Sequence, residues 1–403
     1  MKNMKKRSLR RIFAGILGIG ILLTGAAPCA AAAYGYDEYG DPIVTATPVP
    51  DSQSGQVTQA APAHSSYYSQ AADTDSIDGW PKGPNVEAQA AVLMDVNTEA
   101  VLYSKNGDTQ LYPASITKIM TTLLACENLN VKTKITVSEN ASTSVSAGDS
   151  SIYAAPGEVF TRDQALMAVM LQSANEMSVA VAEEVSGSVK KFTELMNWRA
   201  KLFGCKNTHF NNPNGLPDET HYTTASDMAK IAKSAWLNPL FRRYCTRRYY
   251  EIPATNKFAE ARQLLNHHKM MKNGEYYYEG VLGGKTGYTD ASGNTLVTYC
   301  KRGNMTLVAV ILNSTSAANA YSDTASLFNY GFENFEKMDM KVSMEPVPFK
   351  VLPCDKYILK NNGNTYPFYY QTNVYVTVPK GTKRSQLTKR QAVLQNAAGP
   401  LRL

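Results

Sequence analysis

Ser115-Ile116-Thr117-Lys118 sets a hydroxyl and an amine three residues apart, at the opening of a strongly apolar helix that continues through Ile119, Met120, Leu123 and Leu124. Residues at that spacing share one helix face, so the two side chains meet without help from distant sequence. The pair suits a nucleophile and its base. Lys118 has mostly apolar neighbours, and desolvation disfavours an ammonium, which lowers its pKa toward a value useful for accepting a proton. The free N–H groups of the helix N-terminus are available to a developing oxyanion. Ser-x-x-Lys also arises by chance in many chains, so the tetrad decides nothing alone.

Two further stretches follow it in chain order, Ser173-Ala174-Asn175 and Lys285-Thr286-Gly287. Each has an ordinary reading by itself. Ser173 and Asn175 suit a cap or break between two helices, and Lys285 to Gly287 suits a strand end with a turn. Their succession after Ser115 is what favours chemistry, because Ser-x-x-Lys, a Ser-Asp-Asn type motif and Lys-Thr-Gly form a known triple. His267-His268 invites a metal reading, but no His-Glu-x-x-His helix or comparable ligand spacing exists among the five histidines, so neither metal nor cofactor is expected.

The elements that must position these residues are readable in outline. Ala90–Val96 and Ala100–Tyr103 read as a hairpin around Asn97-Thr98-Glu99, and a polar loop, 104–109, delivers the chain to the tetrad. Thr161-Arg162-Asp163-Gln164 is a capping-box signature for a helix with the apolar face Leu166, Met167, Val169, Met170 and Leu171. That helix runs into Ser173. Helices over 177–185, 189–203 and 225–237 follow, the second closed by Gly204 and the third stopped by Asn238-Pro239. Asn207 to Leu216 is turn chemistry throughout. Thr295–Cys300 and Met305–Leu312 are strands, and a last helix spans 317–335. Strands at both ends with helices between them predict an α+β fold: one antiparallel sheet assembled from the two chain ends, with a helical lobe inserted.

The totals set the frame. Residues 1–33 carry six basic residues, then the apolar run Ile12–Leu23, then small residues, as a cleavable secretory signal does; the run is short of the roughly 20 residues of a spanning helix. Of the formal charge of +7, six positive charges lie in that leader and no negative one does, so its removal leaves +1. No basic patch for nucleic acid remains. Residues 34–79, rich in Ala, Ser, Thr, Gln, Asp and Pro, read as a disordered low-complexity linker, with order beginning near Trp80. Residues 80–337 form the main domain, and 338–403, with alternation at Val374, Val376 and Val378, a small β-rich one. Six scattered cysteines include no Cys-x-x-Cys pair, so most are expected to be small buried hydrophobes, with at least one thiol unpaired after cleavage.

With the three motifs, Pro113-Ala114 before the serine, Asn212-Pro213-Asn214-Gly215-Leu216 and Lys285-Thr286-Gly287-Tyr288-Thr289, the chain from about Trp80 to Phe335 resembles the low-molecular-mass penicillin-binding proteins that are serine D-alanyl-D-alanine carboxypeptidases. The resemblance implies a β-lactamase/transpeptidase-like domain followed by a β-rich one. It implies that Ser115 attacks the penultimate D-alanine carbonyl of a peptidoglycan stem peptide, with Lys118 as base and Ser173 as proton relay to the leaving amine. By the same likeness Asn175 holds the substrate amide and the Lys118 side chain. Lys285 adds positive potential, Thr286 binds the terminal carboxylate, and Gly287 admits substrate to the strand edge. The backbone N–H groups of Ser115 and Tyr288 form the oxyanion hole, and β-lactams are covalent inhibitors.

Two departures from the family pattern stand out. Gly284 replaces a usual aliphatic residue before Lys285, which is expected to loosen the strand. The tail lacks the family's amphipathic C-terminal helix, which weighs against membrane attachment there and raises the expectation of a truncated chain. The competing readings are a β-lactamase and a non-turnover penicillin- or wall-binding module. The first needs a deacylating glutamate, and the nearest candidate, Glu194, has the wrong spacing and falls inside a helix.

Overall fold

The computed structural model describes residues 64–340 and 375–387, together with the backbone of short strands at 35–36, 42–43, 347–350 and 365–368. The expected leader lies outside these residues, as do Cys29, Cys354 and the last sixteen residues. The chain divides into two units, 1–47 and 48–403. In the first, β1 (Gly35–Tyr36) pairs antiparallel with β2 (Pro42–Ile43).

The second unit is built on a five-stranded sheet whose members come from both ends of its sequence. β3 (Ala90–Asp95) and β4 (Val101–Lys105) form the predicted hairpin, and the Asp95 carboxylate accepts the N–H of Asn97 at 2.8 Å to close its turn. Two small pairs follow, β5 (Lys134–Thr136) with β6 (Val159–Thr161) and β7 (Tyr249–Ile252) with β8 (Arg262–Leu265). Then come β9 (Val281–Thr289), β10 (Gly293–Arg302) and β11 (Met305–Ser314), and the order across the sheet is β4-β3-β11-β10-β9. Every pairing is antiparallel.

Alternation along the strands sends side chains to two cores, as a sheet covered on both faces requires. Ala90, Val92, Met94, Val297, Tyr299, Val308, Val310 and Leu312 face the inserted helices, whereas Ala91, Leu93, Leu296, Leu307, Ala309 and Ile311 face a helix on the other side. The inserted lobe contains α1 (Lys118–Asn128), α2 (Glu139–Thr143), α3 (Arg162–Leu171), α4 (Asn175–Ser186), α5 (Val189–Leu202), α6 (Ala225–Leu237) and α7 (Pro239–Cys245). The far face is covered by α8 (Ala317–Asn334). Thr161 and Gln164 cap α3 reciprocally, as their spacing predicts. β12 (Phe335–Asp339) pairs with β15 (Tyr375–Pro379), so the expected boundary at 337/338 falls inside a strand; β13 (Val347–Lys350) pairs with β14 (Thr365–Phe368).

Two expectations are corrected. The linker reading of 34–79 fails for residues 64–79, which are bound along the outer strand β4. Thr74 and Asp73 take the N–H and hydroxyl of Ser104, Lys105 Nζ reaches the Tyr67 carbonyl at 2.6 Å, and Ser65 N–H donates to Glu87 at 2.7 Å. Polar composition hides this segment because hydrogen bonds, more than apolar burial, fix it. It also covers a sheet edge that would otherwise offer free backbone groups. The second correction concerns Gly284. β9 is not loosened there: Gly284 stays in register with Thr298. A Cβ would lie 2.0 Å from the Val297 carbonyl oxygen and 2.8 Å from the His268 ring, so the bare backbone is what lets His268 pack.

Candidate active site

The turn that carries Ser115 is tighter than expected. Ser115 lies in a 3-10 turn, Ala114–Thr117, and the α-helix begins only at Lys118. In a 3-10 turn residues i and i+3 eclipse, which stacks Lys118 over Ser115 more directly than an α-helix would. Ala114, immediately before the serine, has φ of +51°, and Ser173 has φ of +59°. Non-glycine residues held there cost about 1–3 kcal/mol each and cluster at functional sites.

Glycines bring the backbone together around this turn. A Cβ on Gly215 would lie 1.9 Å from the Ala114 carbonyl oxygen, and one on Gly287 would lie 2.8 Å from the Ser115 nitrogen. The outer sheet strand β9 thus abuts the Ser115 N–H. Thr295 of β10 adds a strut, its hydroxyl donating to the Pro113 carbonyl at 2.8 Å.

Lys118 is fully buried, and its Nζ sits 3.0 Å from Ser115 Oγ, 2.7 Å from Asn175 Oδ1 and 2.6 Å from the Asn214 carbonyl. A neutral amine has two hydrogens and a lone pair. Asn175 and Asn214 account for the hydrogens, which leaves the lone pair for the serine proton. Burial holds the Lys118 pKa well below its ordinary value, and the nearby Lys285 pushes it the same way, against weaker opposition from Glu176 and Asp149. Lys285 is also buried, its pKa lowered to about 7 by desolvation, and its Nζ donates to the Thr286 carbonyl at 2.8 Å.

Of the residues expected at the site, Ser115, Ser173, Asn175, Thr286, Gly287 and Tyr288 line one cleft of about 360 Å³, and Lys118 and Lys285 are buried beside it. Ser173 is 3 % exposed and its hydroxyl has no hydrogen-bond partner among the described residues, so its proton is uncommitted. Asn175 opens α4, and its N–H donates to the Ser150 carbonyl at 2.9 Å, joining it to the wall formed by 148–150. Tyr288 is exposed, with its hydroxyl 2.9 Å from Asp290. The histidine pair is split: His267 lines the cleft, with burial lowering its pKa to about 4, while His268 is buried and bonded to Thr298 at 2.9 Å. Glu194 lies on α5 with an exposed side chain, outside the cleft.

Sequence reasoning missed three participants. The Asn214 carbonyl is a backbone group with no side-chain signature, although the turn-rich text around it was visible. Thr295 looks like any strand threonine. His221 gave no signal: it is a single histidine outside the three motifs.

A family model for D-alanyl-D-alanine carboxypeptidases matches residues 79–316, more than half of the chain and all three motifs. The chain belongs to this family. The carboxypeptidase DacF of Bacillus subtilis is 38% identical over 253 residues, which cover 62% of this chain and 63% of that protein, so the chain spans under two thirds of that relative's length. DacA of Escherichia coli K12 is 29% identical over 314 residues, 75% of this chain and 73% of that one. Among solved structures, the Streptomyces K15 DD-transpeptidase superposes with a TM-score of 0.59 at 30% identity, covering 63% of this chain and all of that one. The carboxypeptidase DacD of Francisella tularensis gives 0.60 at 28% identity, covering 74% and 83%. The antiparallel sheet with an inserted helical lobe is therefore the fold of this carboxypeptidase family, as its resemblance implied.

Proposed function

We propose that the chain is a serine D-Ala-D-Ala carboxypeptidase that removes the terminal D-alanine from peptidoglycan stem peptides, and that β-lactams inhibit it by acylating the same serine. The observation that carries this reading is the buried Lys118 amine, 3.0 Å from Ser115 Oγ with its other two contacts on neutral oxygens. An amine so placed takes the serine proton as Oγ attacks the penultimate carbonyl. The oxyanion forms against the N–H groups of Ser115 and Tyr288, each such donor contributing about 2.7–4 kcal/mol in other acyl-transfer enzymes. Ser173, with its uncommitted hydroxyl, hands a proton to the departing D-alanine amine and is reprotonated from Lys118. Water then cleaves the ester and restores Ser115. β9 is the outer strand of its sheet, which suits an extended peptide laid along it, with Thr286 meeting the terminal carboxylate and Asn175 the substrate amide.

Asp149 is the only carboxylate in the cleft wall among the described residues. It lies within the 148–150 segment and has no hydrogen bond to Ser115 or Lys118. This favours slow release of bound penicillin over β-lactamase turnover. The basic, apolar leader supports export, placing the enzyme where cell wall is made. Incubation with a peptide ending in D-Ala-D-Ala should release D-alanine, and Ser115→Ala should abolish both release and covalent penicillin labelling. Labelling without D-alanine release would point instead to a non-turnover binding module, and rapid turnover of a chromogenic cephalosporin to a β-lactamase.

A further inference from the structure

His221 belongs to none of the three motifs, yet it is buried at the junction of two segments that meet at the catalytic amine. Its Nδ1 accepts the N–H groups of Asn211 at 3.0 Å and Asn212 at 3.3 Å. A ring nitrogen that accepts carries no proton, so the imidazole proton is on Nε2, which donates to Thr117 Oγ1 at 2.9 Å. One ring therefore ties the interior of the Ser-x-x-Lys tetrad to the start of the loop that supplies the Asn214 carbonyl. The edge of the ring packs against Phe210, with centroids 5.6 Å apart. Thr121 makes a parallel tie further along, donating to the Pro213 carbonyl at 2.6 Å.

We propose that His221 is a positioning residue for acylation: by clamping residues 211–212 to Thr117 it fixes the Asn214 carbonyl over the Lys118 amine and keeps water from that amine. The inference rests on Lys118 being the base. It adds what sets the geometry and dryness of that base. The clamp requires a neutral ring, because a proton on Nδ1 would set an N–H against two N–H donors. Burial holds the His221 pKa down at about 4, with Asp218 opposing it and His209 and Lys118 adding to it, so the ring is neutral near pH 7.

The test is the rate of covalent acylation by a fluorescent penicillin as a function of pH, for the full chain and for Thr117→Val, His221→Asn and the double variant. Thr117→Val is nearly isosteric and removes only the acceptor of the Nε2 proton. His221→Asn keeps an acceptor near Nδ1 but loses the reach to Thr117. Each should slow acylation by about 10-fold, below the roughly 100-fold of a full 1 Å misplacement. Each should also move the acidic limb of the profile upward by about half a unit or more, because a rehydrated amine regains basicity. The double variant should be no worse than the poorer single one. An unmoved acidic limb in the variants, or losses that add in the double variant, would overturn the clamp even if rates fell. Should His221→Asn fail to fold, Thr117→Val decides alone. Wild-type protein that is not acylated at Ser115 would overturn the underlying reading and the clamp with it, whereas wild-type acylation with unmoved limbs sinks the clamp only.

Discussion

A single methyl group at Gly215 tests whether close backbone packing fixes the nucleophile's turn. Gly215 has φ of +89°, and a Cβ there would lie 1.9 Å from the Ala114 carbonyl oxygen, 2.4 Å from its carbon and 3.0 Å from the Ser115 nitrogen. All three are backbone atoms, so no rotamer change relieves the overlap. Two costs add in Gly215→Ala: about 1–2 kcal/mol for an L-residue in the left-handed region, and about 1–3 kcal/mol for overpacking. The expected loss is therefore about 2–5 kcal/mol. Gly204, at φ of +75° with nothing within 4 Å of its would-be Cβ, provides the control, since Gly204→Ala carries the first cost alone. The Ser115 N–H directly follows the displaced carbonyl, and a shift of about 1 Å there should slow acylation by about 100-fold. Urea midpoints for both variants, with the second-order rate of penicillin acylation, make the comparison. Equal destabilisation of the two variants, or wild-type acylation by Gly215→Ala, would refute the argument.

Three further outcomes follow from the same geometry. The pKa of Lys285 is about 7 in the fold against an ordinary 10.5, so between those values the unfolded chain binds the extra proton: stability should rise with pH from about 7 to 10.5 and be flat below, where both states are charged. Lys285→Met should remove that rise, be more stable than wild type at pH 6 by about 1–4 kcal/mol in urea unfolding, and bind the peptide carboxylate poorly; a variant less stable at pH 6 would contradict this. Ser173→Ala removes a hydroxyl without a partner, so its unfolding free energy should stay within about 0.5 kcal/mol of wild type while D-alanine release slows by about 100-fold or more; unchanged release would dismiss the relay. Gly284→Val, which brings the aliphatic residue usual in the family, should cost about 1–3 kcal/mol by overlap with Val297 and His268, measurable as a lowered urea midpoint.

What was legible in the sequence was what depends on local pattern or on side-chain identity. The hairpin at Asn97, the capping box at Thr161 and the two-ended sheet follow from periodicity and turn chemistry, and the motif residues announce themselves by type. What was hidden depends on backbone groups or on residues with two uses. Asn238-Pro239 read only as a stop to α6, yet Asn238 also accepts the N–H groups of Leu240 and Phe241, with Pro239 in the first turn of α7. A strong stop and a strong start use the same residues. The left-handed Ala114 was equally unreadable, because alanine carries no preference for that conformation. The room its carbonyl occupies is left about a hundred residues away, at Gly215, by a missing side chain.

The two amines of the site are kept from charging by exclusion of water, and among the described residues neither is paired with a carboxylate. Lys118 gives its hydrogens to an amide oxygen and a backbone carbonyl, and Lys285 donates to the carbonyl of its own neighbour. A carboxylate in any of these places would favour the ammonium and remove the base. Neutral acceptors orient the amine without stabilising its charge to the same degree, and Lys285 makes Lys118 harder to protonate. The arrangement is destabilising in itself, since holding a buried amine below its ordinary pKa costs free energy wherever the unfolded chain would bind the proton. It persists because both lysines stem from elements anchored elsewhere: α1 packs its apolar side chains into the lobe, and β9 keeps unbroken register with β10 from Gly283 to Thr289. The geometry around Ser115 thus depends on packing remote from the cleft, in the lobe core beneath α1 and along the β9–β10 pairing.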